Sequence, residues 1–218
     1  MNIHDHLIGD VLNRLNQQEL AETAAQPPHH LKVTPSIGRF LELLIEEQQP
    51  ARILEIGTVP GYSTIWLARA GLHCDATIDS VCDCPATLQI ATQNIQECQL
   101  LDRVNLHQSA PNDFLSQAPA QHWDLIFLNS DRHAYASWWP HILRISRTLL
   151  VVCNGAVKQA PDFQPLLQTV DHDPALERTI LTIGHGLLLI RHRSVTPMAT
   201  DQVDGRPLLM PRIPSRST

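Results

Sequence analysis

Residues 123–129 (WDLIFLN) and 148–153 (TLLVVC) are almost unbroken apolar runs. Neither alternates like a strand with one wet face, so both call for cover on two sides, as in a parallel sheet layered between helices. The rest of the chain supplies the pattern such a sheet needs. Strand-type runs at 52–57 (RILEIG), 75–81 (DATIDSV) and 103–109 (RVNLHQS) are each followed by a helical segment, at 62–71, 85–98 and 111–117. Residues 137–146 (SWWPHILRIS) have helical spacing, with Pro140 inside as a predicted kink or restart. Residues 176–184 and 186–193, meeting at Gly184-His185-Gly186, read as a closing antiparallel pair. The expected fold is α/β, a Rossmann-like doubly wound seven-stranded mixed sheet.

Two helices are expected ahead of the sheet. One covers about residues 5–24, with Leu7, Val11, Leu15 and Leu20 in phase. The other covers 36–49, with Phe40, Leu41, Leu44 and Ile45 turned inward. Pro27, Pro28 and Pro35 mark an extended linker between them. The sequence therefore divides into one α/β domain over residues 1–193, with helices in 1–50 and the sheet core in 51–193. Residues 194–218 read as a mobile tail or an arm on a partner subunit.

Composition narrows the functional classes. A net charge of −6 gives no basic footprint, so neither nucleic acid nor an anionic membrane surface is an expected partner. No apolar run approaches the roughly 18 residues of a membrane helix. The first twenty residues lack the pattern of a secretory signal, which points to the cytoplasm. Five cysteines, an odd number, suit reduced thiols there better than a disulfide framework. Cys82 and Cys84 stand close together without a second pair, so no structural zinc site is expected.

The segment 52–64 (RILEIGTVPGYST) carries the chemistry. An apolar strand stops at Gly57, turns through Gly61 and restarts as a helix at Tyr62. In an open parallel sheet, ligands gather at the carboxyl ends of the strands. The turn has neither the G-x-G-x-x-G spacing of dinucleotide folds nor the Gly-Lys-Ser/Thr ending of a phosphate loop. It does have Glu55 at the end of the strand. A carboxylate there repels pyrophosphate and attracts an ammonium or sulfonium, a combination that suits S-adenosylmethionine. A plain strand–turn–helix with a glycine at each bend is the alternative.

Beyond this turn, residues 54–68 (LEIGTVPGYSTIWLA) resemble the first motif of the small O-methyltransferases related to the catechol and caffeoyl-CoA enzymes. The similarity continues in order through 31–45 (LKVTPSIGRFLELLI), 91–109 (ATQNIQECQLLDRVNLHQS), 123–139 (WDLIFLNSDRHAYASWW), 149–157 (LLVVCNGAV) and 173–193 (DPALERTILTIGHGLLLIRHR). The resemblance implies the class I methyltransferase fold and a cytosolic, commonly dimeric enzyme. Such an enzyme moves a methyl group from S-adenosylmethionine to a hydroxyl with the help of a divalent cation. It also implies that Val33, Glu55, Gly57, Thr58, Gly61, Tyr62 and Ser63 form the cofactor cradle, extended by Cys82, Ser109 and Asn129.

Several positions depart from the family pattern. Cys82 stands where the family has a ribose-binding acid; losing that charge-assisted bond weakens binding by about ten- to hundred-fold. Ser109 and Pro111 replace small residues near the adenine, and Arg147 and Thr148 replace paired glycines before the fifth strand. The family's cation ligands correspond to Asn129, Cys153 and Asn154, a set poorly suited to magnesium. No metal site is expected. Arg132 replaces the catalytic lysine, keeping its charge without being able to act as a base. It remains suited to stabilise an oxyanion. His133, beside it, and His185 are candidate bases among the chain's twelve histidines. The expected function is S-adenosylmethionine-dependent O-methylation of a small hydroxylated acceptor without magnesium. The alternative is a non-catalytic methyltransferase-fold protein with a binding role. A different enzyme on the same scaffold is a third reading.

Overall fold

The computed structural model describes residues 3–25, 33–58 and 60–193. The expected tail at 194–218 lies outside the described residues. Two helices come first, α1 (Ile3–Ala25) and α2 (Pro35–Gln48). Strands and helices then alternate as β1 (Arg52–Ile56), α3 (Tyr62–Gly71), β2 (Thr77–Cys82), α4 (Pro85–Glu97), β3 (Val104–Gln108), α5 (Pro111–Gln117), β4 (Leu125–Leu128), α6 (Tyr135–Ile145), β5 (Leu150–Asn154) and α7 (Gln164–Asp171). The hairpin β6 (Leu176–Leu181) and β7 (Leu187–His192) closes the chain. The seven strands form one mixed sheet in the order β3-β2-β1-β4-β5-β7-β6. The first five are parallel, and β7 runs antiparallel between β5 and β6. β1 has β2 on one side and β4 on the other, so strand order reverses there.

Alternation along the strands builds two apolar layers. Ile53, Ile78, Leu125, Phe127 and Val152 face the layer of α1 to α4. Leu54, Ile56, Ile126, Leu128, Val151 and Cys153 face the layer of α5 to α7. α1 docks through Ile8, Val11, Leu12 and Leu15, all buried. That stripe is shifted from the expected one, since Leu7 is only half-buried and Ile8 takes its place; the side chain of Leu20 is not described. In α2 the buried face is Ile37, Gly38, Leu41 and Ile45, while Phe40 and Leu44 lie at its border. Thr34 caps this helix by accepting from Ile37 N. Arg69 joins α3 to α2, bonded to Glu42 at 2.5 Å with its guanidinium 4.2 Å from the Trp66 ring centroid.

Pro140 sits inside α6 without ending it, because the helix already starts at Tyr135 and buries Tyr135, Trp138, Trp139, Ile142 and Ile145. The apolar face holds the helix through the missing backbone donor. The turn before β5 is built without glycine. Arg147 Nε bonds Asp124 Oδ1 at 2.6 Å, Thr148 Oγ1 bonds Asp124 O at 2.8 Å, and Leu149 takes up a positive φ of 49°. Asp124 Oδ2 also accepts from the backbone N–H groups of Ala51 and Arg52, at 2.9 and 3.0 Å. One carboxylate thus fixes the starts of β1 and β4 and the approach to β5.

Candidate functional site

The candidate residues line one edge of the sheet because parallel register brings the strand ends level. Ile56 pairs with Val81 and Leu128, Cys82 with Gln108, and Leu128 with Cys153. Backbone bonds then tie the following residues together. Gly57 N donates to Val81 O, Asn129 N to Ile56 O and Ser109 N to Cys82 O. Gly57 has φ +106°, and a Cβ there would lie 2.3 Å from Asn129 O. Only glycine lets the chain leave β1 so close to the end of β4. Gly61, at φ +88°, precedes α3 and brings the chain against Ala91 of α4.

Glu55 lies behind this turn and is fully buried. It pairs in register with Ser80, and its Oε2 accepts from Ser80 Oγ at 2.6 Å and Thr64 Oγ1 at 2.5 Å. Thr58 Oγ1 meets Ser80 Oγ at 2.5 Å, which extends the network to the turn. Burial pushes the Glu55 carboxyl above its ordinary range, and the hydroxyls of Ser63, Ser80 and Thr64 pull it part of the way back. Glu55 Oε1 and Ser63 Oγ are enclosed, and neither reaches hydrogen-bond geometry with a described residue. An ionised Glu55 acts on the turn through its field; Thr58, Gly61, Tyr62 and Ser63 are buried around it, and Gly57 and Pro60 are half-buried. Tyr62 is buried edge-on to Trp66, with ring centroids 6.3 Å apart. Val33 is 3% exposed and belongs to the apolar layer beneath α2.

At Cys82, the position expected to meet the ribose, the thiol folds into its own turn, where Cys84 N donates to Sγ at 3.4 Å. Burial raises its pKa, so it stays neutral. Asp83, next along, is exposed beyond the end of β2. Ser109 is half-buried and its Oγ donates to Ala110 O at 3.2 Å.

The three positions corresponding to cation ligands do not converge. Asn154 Nδ2 donates to Asn129 Oδ1 at 2.9 Å, so these two buried amides bind each other. β5 continues regularly through Asn154, which pairs with Leu187. Cys153 therefore points to the opposite face, into the layer with Tyr135. Burial raises its thiol pKa far above the ordinary value. A neutral thiol and two amides supply no negative charge, and the donor set does not fit a hard divalent cation. Arg132 is buried at the same place, with Nε donating to Asn154 O at 3.3 Å and Nη1 to Ser130 O at 3.4 Å.

His133 is not brought to this cluster. Its side chain is 74% exposed and turns toward Asp162, 3.9 Å away. His185 lies close enough for the charge of Arg132 to act on it. Burial, and then the positive charges of Lys158 and Arg132, lower its pKa and favour the neutral imidazole. The β6–β7 turn carrying it is fixed by Val157 N and Lys158 N, which both donate to His185 O. Its sequence gave no sign of this docking, which depends on the loop after β5.

Residues 10–193 match the family described as O-methyltransferase. A catechol O-methyltransferase of Niastella koreensis is 34% identical over 178 residues, covering 75% of this chain and 79% of that protein. A catechol O-methyltransferase of Mycobacterium tuberculosis is 32% identical over 180 residues, covering 75% and 80%. Among solved structures, an O-methyltransferase from Bacillus cereus in complex with SAH superposes with a TM-score of 0.72. It is 27% identical, and the match covers 84% of this chain and 91% of that one.

Proposed function

Because the chain belongs to the O-methyltransferase family, we propose that it transfers a methyl group from S-adenosylmethionine to a small hydroxylated acceptor, without magnesium. The observation that carries this reading is the Gly57–Gly61 turn at the point where strand order reverses, backed by the buried Glu55. The turn fits a zwitterionic amino acid end by charge. The start of α3 favours a carboxylate, and the field of an ionised Glu55 favours an ammonium. The sulfonium donor supplies an activated methyl carbon. The protein's part is to hold the acceptor oxygen in line with it, an effect that can supply about 7–11 kcal/mol. Cys82 and Ser109 leave the ribose and adenine less firmly held than an acid at position 82 would.

Family membership does not favour the non-catalytic reading. A cytoplasmic homodimer completes the proposal. The five free cysteines suit a reducing compartment, and gel filtration should give twice the mass of the chain. Among the described residues no helix is long and apolar enough to cross a membrane. Isothermal titration with S-adenosylmethionine and S-adenosylhomocysteine, with magnesium and with EDTA, tests the function. Binding of both that ignores EDTA is expected. Absence of binding at high micromolar cofactor would overturn the reading.

A further inference from the structure

Among the described residues, Arg132 is a buried cation without an anion. It is 5% exposed, and Nε and Nη1 make its only hydrogen bonds among the described residues, both to backbone carbonyls. No carboxylate among those residues lies within ion-pair distance of it. Among the described residues Nη2 has no hydrogen-bond partner, and it is not one of the fully enclosed unmatched atoms. A guanidinium held this way has lost most of its hydration and still offers donor groups.

None of the groups around it supplies the missing charge. Asn129 and Asn154 are neutral and bonded to each other. Tyr135 is neutral, its hydroxyl donating to Ser130 O and accepting from Ser130 N. The Cys153 thiol faces the other layer. Asp131 is exposed and caps the short turn Arg132–Ala134 by accepting from His133 N. His133 faces Asp162, Lys158 adds positive charge, and His185 is held neutral.

We propose that Arg132 is the resident cation of the acceptor site, receiving the acceptor's oxygen as an anion where a divalent ion does not fit. This rests on the methyl-transfer reading and names its substrate class: hydroxyls acidic enough to ionise near neutral pH, such as electron-poor phenols. A fixed positive charge favours the ionised oxygen. Arginine cannot take the proton itself, so the proton leaves to solvent or to the neutral His185. The oxygen's electron pair then forms the bond to the methyl carbon. The carbon–sulfur bond breaks with its electrons staying on sulfur, and the charges balance without a metal.

The test uses 4-nitrocatechol, whose ionised form absorbs at longer wavelength, bound to the full chain in excess EDTA, with and without S-adenosylhomocysteine. The bound probe should ionise about one pH unit lower than the free probe, a tenfold gain in the anion. Arg132→Gln should lose that shift, Arg132→Lys should keep most of it, and both should bind S-adenosylhomocysteine like the wild type. A shift that needs added magnesium, no shift in the wild type, or a full shift in folded Arg132→Gln would overturn the proposal. The EDTA measurement on the wild type needs no variant to fold. Failure of S-adenosylhomocysteine to bind would sink the methyl-transfer reading instead, and the two failures are read in separate experiments.

Discussion

Position 55 shows how far a residue's identity can be read and where its surroundings take over. The carboxylate and the glycines around it were legible, because the spacing of 52–64 is local. Its enclosure was not, because it depends on Ser80 arriving opposite it from another strand. The same holds for Cys153, whose direction follows from β5 continuing as far as Asn154. Glu55 leads to a pH prediction. Its folded pKa is raised above the ordinary 4.5, so the folded chain binds more protons than the unfolded one. Stability should therefore fall as pH rises from that value through the folded pKa. In Glu55→Gln this part of the fall should vanish, as thermal unfolding from pH 4 to pH 8 would reveal. An unchanged slope would mean that Glu55 is ionised at no cost.

The elements themselves were largely written in the pattern of apolar runs. The helix at 62–71 and the short helix at 111–117 have the expected bounds, since a glycine or a proline marks each start. The connection into β5 was not legible, because the Asp124 carboxylate, just ahead of β4, replaces the expected glycines. Asp124 should matter accordingly. Asp124→Asn keeps one acceptor oxygen and must give up either the Ala51 and Arg52 amides or Arg147. We expect a loss of about 1.5–3 kcal/mol, seen in urea as a lower midpoint with an unchanged slope. An unaltered midpoint would show that Arg147 and Leu149 hold the turn by themselves.

Across the whole molecule, the order β3-β2-β1-β4-β5-β7-β6 puts the most covered strands at the centre. All of β4 and all of β1 beyond Arg52 are buried, whereas the edge strands β3 and β6 expose part of their length. Amide hydrogen exchange should therefore be slowest in β1 and β4 and fastest at the two edges. Equal protection of β6 and β4 would indicate that another surface covers that edge. The parallel class was evident from the continuous apolar runs, but the insertion of β7 beside β5 was not, since a hairpin can join a sheet through either strand.

That insertion has a consequence for synthesis. The last strand among the described residues lies between two earlier ones, and its turn holds the loop that follows Asn154 through Gly155 N and Ala156 N bonded to Gly186 O. A nascent chain that stops short of β7 leaves β6 unattached and the Arg132 corner unbraced. Translation must run almost to residue 193 before the loop after Asn154 is braced, so truncated products should be inert however well their earlier strands have assembled.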